Sequence, residues 1–240
     1  MWREGQDFPG WIYSSALMAV IVGILVLQPD IGMTLMIVLT WGFQMFLAGM
    51  PMLLVICIVA LAPLGLVVAY FTLGHVHKRI NQFWEGGAWQ VEKARDSFAN
   101  GGLFGVGPGD GTVKHHLPDA HSDFIFAVAG EEFGALACLT LLTLYAFIVL
   151  RGFSRAMSDE GLFCLIASAS LLLQFGVQAA IHMASSVHLI PTKGMTLPLI
   201  SYGGSSLVAS GLTMGLILAL TRRRAPYVLP GRRNLQEASS

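Results

Sequence analysis

The residues best placed for chemistry lie in the run His121-Ser122-Asp123-Phe124-Ile125-Phe126-Ala127, followed by Gly130-Glu131-Glu132. A carboxylate stands where a polar stretch meets an apolar one, and two more acids follow about two turns further on, roughly 12 Å at the helical rise. On a helix begun at Asp123, Glu131 lies about 80° round from it and Glu132 nearly opposite, so both cannot face one cavity well. Acids at such a depth in a membrane are costly unless paired or wetted, which makes them candidates for function. The alternatives are structural. Ser122 or Asp123 can cap a helix whose dipole favours the charge, and Glu131 and Glu132 can be held by an arginine or a backbone donor.

A second constellation runs from Pro191 through Thr192, Lys193 and Gly194 to Ser201, Tyr202, Gly203, Gly204, Ser205 and Ser206. Prolines and glycines at one helix end predict a broken start, with half-helix amides free to meet an anion. Lys193 is the one cation in that run. An irregular turn packed closely at small residues fits the same pattern. The glycine-rich stretch 101–111 superficially resembles a phosphate loop, yet no strand precedes it and no Gly-Lys-Ser/Thr follows, so a nucleotide site is excluded. Tight turns needing positive φ explain it, or backbone amides near a pyrophosphate headgroup. Gln174, Gln178 and His182 recur every four residues, and such a stripe faces the protein interior to bond neighbouring helices.

The elements that carry these residues are membrane helices. Apolar residues make up 55% of the 240 and charged residues 12%, about half the share of ~25% usual in soluble domains. A zero net charge offers no basic field for nucleic acid. A bilayer core of about 30 Å needs ~20 mostly apolar residues per helix, and the runs at 11–28, 32–49, 52–73, 124–150, 161–186 and 195–221 meet or approach that length. Pro29-Asp30 and Gly49-Met50-Pro51 separate the first three, and Pro63 with Gly65 predicts a kink in the third. Residues 90–98 read as a short amphipathic helix lying at the interface. The expected organisation is therefore an all-α polytopic membrane protein. It has an N-terminal cytoplasmic stub (1–10), three spans (11–74), a long extracytoplasmic loop (75–122), three further spans (123–221) and a basic cytoplasmic tail (222–240). Arg151 and Arg155, placed in a turn after the fourth helix, and Arg222, Arg223, Arg224, Arg232 and Arg233 in the tail put those segments in the cytoplasm. Cys57, Cys138 and Cys164 sit in apolar runs without metal-ligand spacing and read as free buried thiols. The first ten residues do not read as a signal peptide.

The run GGLFGVGPGDGTVKHHLPDAHSDFIFAVAGEEFG resembles the long extracytoplasmic loop and following helix of the shape, elongation, division and sporulation (SEDS) family, as does PTKGMTLPLISYGGSS, and Leu27-Gln28-Pro29-Asp30-Ile31-Gly32 matches a family turn. The Pro-Thr-Lys-Gly form is closer to the division-type peptidoglycan glycosyltransferases of the family than to its rod-elongation members. The resemblance covers residues 9–224. It implies a ten-helix protein whose last six helices correspond to the six here, the first four lacking a counterpart together with part of the substrate cavity. The implied activity joins lipid II disaccharide units into septal glycan strands, with undecaprenyl pyrophosphate leaving.

By position, Asp123 matches the family's essential acid, which would take the proton from the acceptor 4-hydroxyl as it attacks C1 of the lipid-linked donor. Lys193 would stabilise the leaving pyrophosphate. His121, Ser122, Glu131, Glu132, Thr192, Ser201, Ser205 and Ser206 are the further candidates for binding substrate. Ser122 stands where the family usually has threonine and Asp119 where it has glutamate, keeping the hydroxyl and the charge. No cofactor or metal-ligand set is expected, although a divalent cation, Mg2+ or Mn2+, is compatible with the chemistry. The implied partners are a class B penicillin-binding protein, other division-machinery membrane proteins and membrane lipids, with no nucleic acid, in the bacterial inner membrane at the septum. Two other functions remain open: a lipid II flippase, because broken helices also occur in transporters, and a non-catalytic division scaffold.

Overall fold

A computed structural model describes residues 10–28, 30–51, 53, 67, 70–72, 74–84, 89–117, 119–158, 161–191 and 194–222. Among them the chain is helical throughout: α1 (Gly10–Leu27), α2 (Ile31–Leu47), α3 (Gly74–Trp84), α4 (Trp89–Gly101), a 3-10 turn (Val113–His116), α5 (Ile125–Ala156), α6 (Leu162–Ser186) and α7 (Gly204–Leu220). α1, α5 and α6 are long and apolar enough to cross a membrane, and α2 and α7 are shorter apolar helices. The chain is thus a polytopic membrane protein. The third expected span falls almost wholly outside the described residues, together with Pro63, Gly65 and Cys57. So does the tail beyond Arg222.

Local chemistry sets the helix ends. Asp30 caps α2 by accepting from the Met33 amide at 3.0 Å. Val76, Ile80 and Phe83 at i, i+4 and i+7 turn one face of α3 inward, with Val76 buried; this helix was not anticipated within the polar loop. α5 runs past its expected end near residue 150 to Ala156. Arg151 and Arg155 therefore lie on the helix and not in a turn, because arginine is a good helix former and Arg155 in the last turn meets the negative end of the dipole. Arg155 Nε also donates to the Thr221 carbonyl at 3.2 Å, tying the ends of α5 and α7 together.

α6 packs against α5, α7 and α2, and α4 lies across the first half of α5. Phe126, Cys138, Tyr145, Phe175, Ala179, Met183 and Leu197 form the core where α5, α6 and the segment ahead of α7 meet. The outward faces carry exposed leucines such as Leu139, Leu142 and Leu150, as expected for a surface solvated by lipid.

The decisive irregularity is inside α5. Gly134 has φ 80° and ψ −179°, which breaks the helix nine residues in. The amides of Ala135 and Leu136 lose their partners four residues back and bond instead to the carbonyls of Gly102 (2.9 Å) and Leu103 (3.3 Å). The freed carbonyls of Glu131 and Glu132 receive the amides of Val106 (3.0 Å) and Gly107 (3.1 Å). The glycine-rich stretch is therefore a plug for a broken helix, and these two amides cannot also serve a pyrophosphate. The fit demands glycine: a Cβ on Gly134 would stand 2.4 Å from the Leu103 carbonyl oxygen, and one on Gly105 would stand 2.1 Å from that of Glu132.

Gly134→Ala should combine a strained positive φ with that clash and cost on the order of 2–4 kcal/mol. Thermal melting in detergent should show the loss, and limited proteolysis should show faster cleavage within 101–112. An unchanged melt with an unchanged cleavage pattern would mean that the plug does not depend on the break.

Candidate functional site

Asp123 lies in the turn just ahead of α5. Its amide donates to the Asp119 carbonyl at 2.9 Å, closing that turn. The N-cap of α5 is Phe124, and no side chain bonds the first-turn amides. Neither Ser122 nor Asp123 is used as a cap, which leaves the Asp123 carboxylate for other work. It is half-buried. Burial pushes its carboxyl above the usual carboxylate range, the charge of Asp119 adds to the rise, and the Ser122 hydroxyl offsets part of it.

The segment ahead of α7 folds onto this turn. Ser201 Oγ donates to the Ser122 carbonyl at 2.6 Å and accepts from the Leu197 amide at 2.7 Å. The Tyr202 amide donates to the His121 carbonyl at 2.9 Å, and the two rings meet edge to face with centroids 5.4 Å apart. Gly194 has φ 59°, and a Cβ there would come within 3.2 Å of Asp123 Oδ2. A side chain at this position would crowd the carboxylate. From the other side, His182 Nδ1 donates to the Met195 carbonyl at 2.6 Å, Gln178 Nε2 to the Thr196 carbonyl at 3.0 Å, and the Tyr145 hydroxyl to the Pro198 carbonyl. The polar stripe on α6 therefore holds the broken start of α7.

A cavity of about 380 Å³ opens beside this segment. Asp30 and Met33 of α2, Gln174 and Gln178 of α6, Gly194 and Thr196 of the segment, and Ser205, Ser206, Ser210 and Thr213 of α7 line it. Gly194 belongs both to the cavity wall and to the surroundings of Asp123. Phe175, Met195, Pro198 and Ala209 complete a wall that is mostly apolar, with one carboxylate, two carboxamides and several hydroxyls set in it, which suits a ligand that carries both apolar faces and hydroxyl groups.

The sequence-predicted residues separate into groups. Asp123, Ser122 and His121 share one turn with Ser201. Ser205 and Ser206 face the cavity, and Ser206 Oγ pairs with Thr196 Oγ1 at 2.6 Å. Ser201 is buried and spends its hydroxyl joining the two motifs, so its place is structural and not at a ligand surface. Glu131 departs from the expectation of substrate contact. It is fully buried, and its carboxylate accepts from Asn100 Nδ2 (3.0 Å), the Val113 amide (2.8 Å) and the Lys114 amide (3.0 Å). Glu132 pairs with Lys114 Nζ, which also donates to the Gly109 carbonyl at 3.0 Å. Both glutamates take the structural alternative because the break at Gly134 brings the loop within their reach. Thr192 and Lys193 lie outside the described residues. Asp30 and Thr213 were not anticipated at a site; the carboxylate of the Pro29-Asp30 break was the one signal for the first, and nothing in the sequence marked the second. Among the described residues, no group of three or more His, Cys, Asp or Glu side chains is arranged to hold a metal.

Comparison with known proteins fits this geometry. The family described as cell cycle protein, comprising FtsW, RodA and SpoVE, matches residues 5–225. A probable peptidoglycan glycosyltransferase FtsW of Caulobacter vibrioides is 42% identical over 225 residues, covering 92% of this chain and 58% of the relative. The protein of the same description from Legionella pneumophila is 35% identical over 223 residues, covering 88% and 56%. This chain thus spans somewhat over half the length of those relatives. Among solved structures, a chain from a peptidoglycan synthase complex that coordinates polymerization and crosslinking aligns with a TM-score of 0.70 at 26% identity, over 93% of this chain and 65% of that one. A mutant of the rod shape determining protein RodA from Thermus thermophilus aligns with a TM-score of 0.59 at 26% identity, over 93% and 61%.

Glu131→Gln turns one carboxylate oxygen into a donor that faces other donors. Leaving a buried amide unpaired costs about 1–3 kcal/mol, so hydrogen exchange at the Val113 and Lys114 amides should accelerate while α6 and α7 stay protected. Equal protection of those two amides in both proteins would remove Glu131 as the anchor.

Proposed function

We infer the function from one premise: the chain belongs to the cell cycle protein family of FtsW, RodA and SpoVE. Its activity is that of a peptidoglycan glycosyltransferase. It joins lipid II disaccharide units into glycan strands in septal wall synthesis and releases undecaprenyl pyrophosphate. The observation that carries this reading is the half-buried carboxylate of Asp123, raised in pKa, with Gly194 of the cavity wall beside it.

The chemistry follows from that placement. The acceptor 4-hydroxyl attacks C1 of the donor sugar, the C1–O bond to pyrophosphate breaks, and Asp123 takes the hydroxyl proton. A base must be ionised to act, and a carboxyl pushed above its ordinary range is, once ionised, a stronger base than a solvated one. Lys193 adjoins Gly194 in the sequence and is the cation assigned to the departing pyrophosphate. Holding two lipid-borne sugars at one mouth supplies much of the rate by positioning. A class B penicillin-binding protein is the expected partner, since a related chain works in a complex that couples polymerization to crosslinking. The inner membrane at the division septum is the location this activity calls for.

Asp123→Asn should lower the initial rate of lipid II polymerisation in proteoliposomes by at least about 100-fold, with insertion and melting unchanged. The rate of the unaltered protein should fall as pH drops through the raised pKa of Asp123, so the acid limb of kcat/KM should lie above the ordinary carboxylate range. Polymer formation at normal rate by Asp123→Asn would take Asp123 out of the mechanism.

A further inference from the structure

We propose that Tyr202 is a sugar-stacking residue: with His121 it forms an aromatic lip on which a pyranose ring of the lipid-linked substrate lies while its hydroxyl or C1 reaches Asp123. This rests on the glycosyltransferase reading and adds to it a residue that is not among the binding candidates read from the sequence. Tyr202 remains 74% exposed while its neighbour Ser201 is 5% exposed. A large ring is thus presented outward from a backbone that is locked in place. The lock is specific. The Tyr202 amide is bound to the His121 carbonyl at 2.9 Å, and the preceding Ser201 hydroxyl is bound to the Ser122 carbonyl at 2.6 Å.

His121 and Asp123 are two residues apart, so their Cα atoms are no more than about 7 Å from one another. The edge-to-face contact of His121 with Tyr202 orients the second ring without covering it. A tyrosine fixed in this way loses little conformational freedom when it binds, because it has few rotatable bonds. The C–H face of a pyranose is apolar and packs against an aromatic face, while the hydroxyl groups around its rim remain free for polar groups such as Gln178, Ser205 and Ser206 of the cavity wall. An aromatic anchor in the membrane-interface belt is the competing use of an exposed tyrosine. Such an anchor needs only the right depth; it does not need a backbone bonded to the turn that carries the catalytic acid.

The test measures binding of fluorescently labelled lipid II to the chain in nanodiscs, alongside polymer formation. Tyr202→Leu should weaken binding about tenfold, and Tyr202→Phe, which restores the ring, should recover most of the affinity. If the leucine variant fails to fold, Tyr202→Gln, polar and suited to an exposed position, replaces it. Equal affinity for the leucine variant and the unaltered protein, or equal loss in the leucine and phenylalanine variants, overturns the lip and leaves an interfacial anchor. Ring-dependent binding without any polymer formation would sink the transferase reading and leave the lip standing. No binding of lipid II by the unaltered chain would sink both.

Discussion

In a lipid-solvated helix bundle, a backbone amide or carbonyl without a partner costs several kcal/mol, since no water is at hand to replace it. α5 is broken at Gly134 under that constraint, and the fold meets it by lending the broken helix four hydrogen bonds from the loop at 102–107. The same event brings Glu131 and Glu132 against the loop, where one gathers backbone amides and the other pairs with Lys114. Remove the break, and the loop loses its seat, the glutamates lose their partners and the turn at Asp119–Asp123 loses the framework on one side.

The second framework is the unwound segment from Gly194 to Gly203. Its carbonyls at Met195, Thr196 and Pro198 are each met by a side chain from α5 or α6. Each such bond is worth only about 1 kcal/mol net, but leaving its buried partner unpaired costs more than that. The set therefore acts as a specifier of geometry more than as a store of stability. Ser201 closes the arrangement by bonding both its own segment and the Asp123 turn.

Between these two pieces the Asp123 carboxylate has, among the described residues, the Ser122 hydroxyl as its partner and no cation. Its half-buried setting and the neighbouring charge of Asp119 shape it as a base, and a side chain in place of Gly194 would crowd it. Function here depends on what surrounding groups have been assigned to do. Three other polar candidates, Glu131, Glu132 and Ser201, are consumed by structure.

The sequence by itself determined the membrane class, the long apolar runs, the short helix near 90–98 and the junction where Asp123 meets α5. These depend on composition and on periodicity along one helix, which are local properties. It also pointed to the broken start of α7 and to the inward stripe of Gln174, Gln178 and His182, since prolines, glycines and a four-residue polar repeat act locally too. Only the tertiary structure decided that the glycine-rich loop plugs α5, that Glu131 is an anchor, and that Asp30, far away along the chain, shares a cavity wall with Ser205 and Thr213. Each of those outcomes depends on which groups distant along the chain are brought together in space, the hydrogen-bonded ones to within about 3 Å. Spacing along a chain carries no record of that distance.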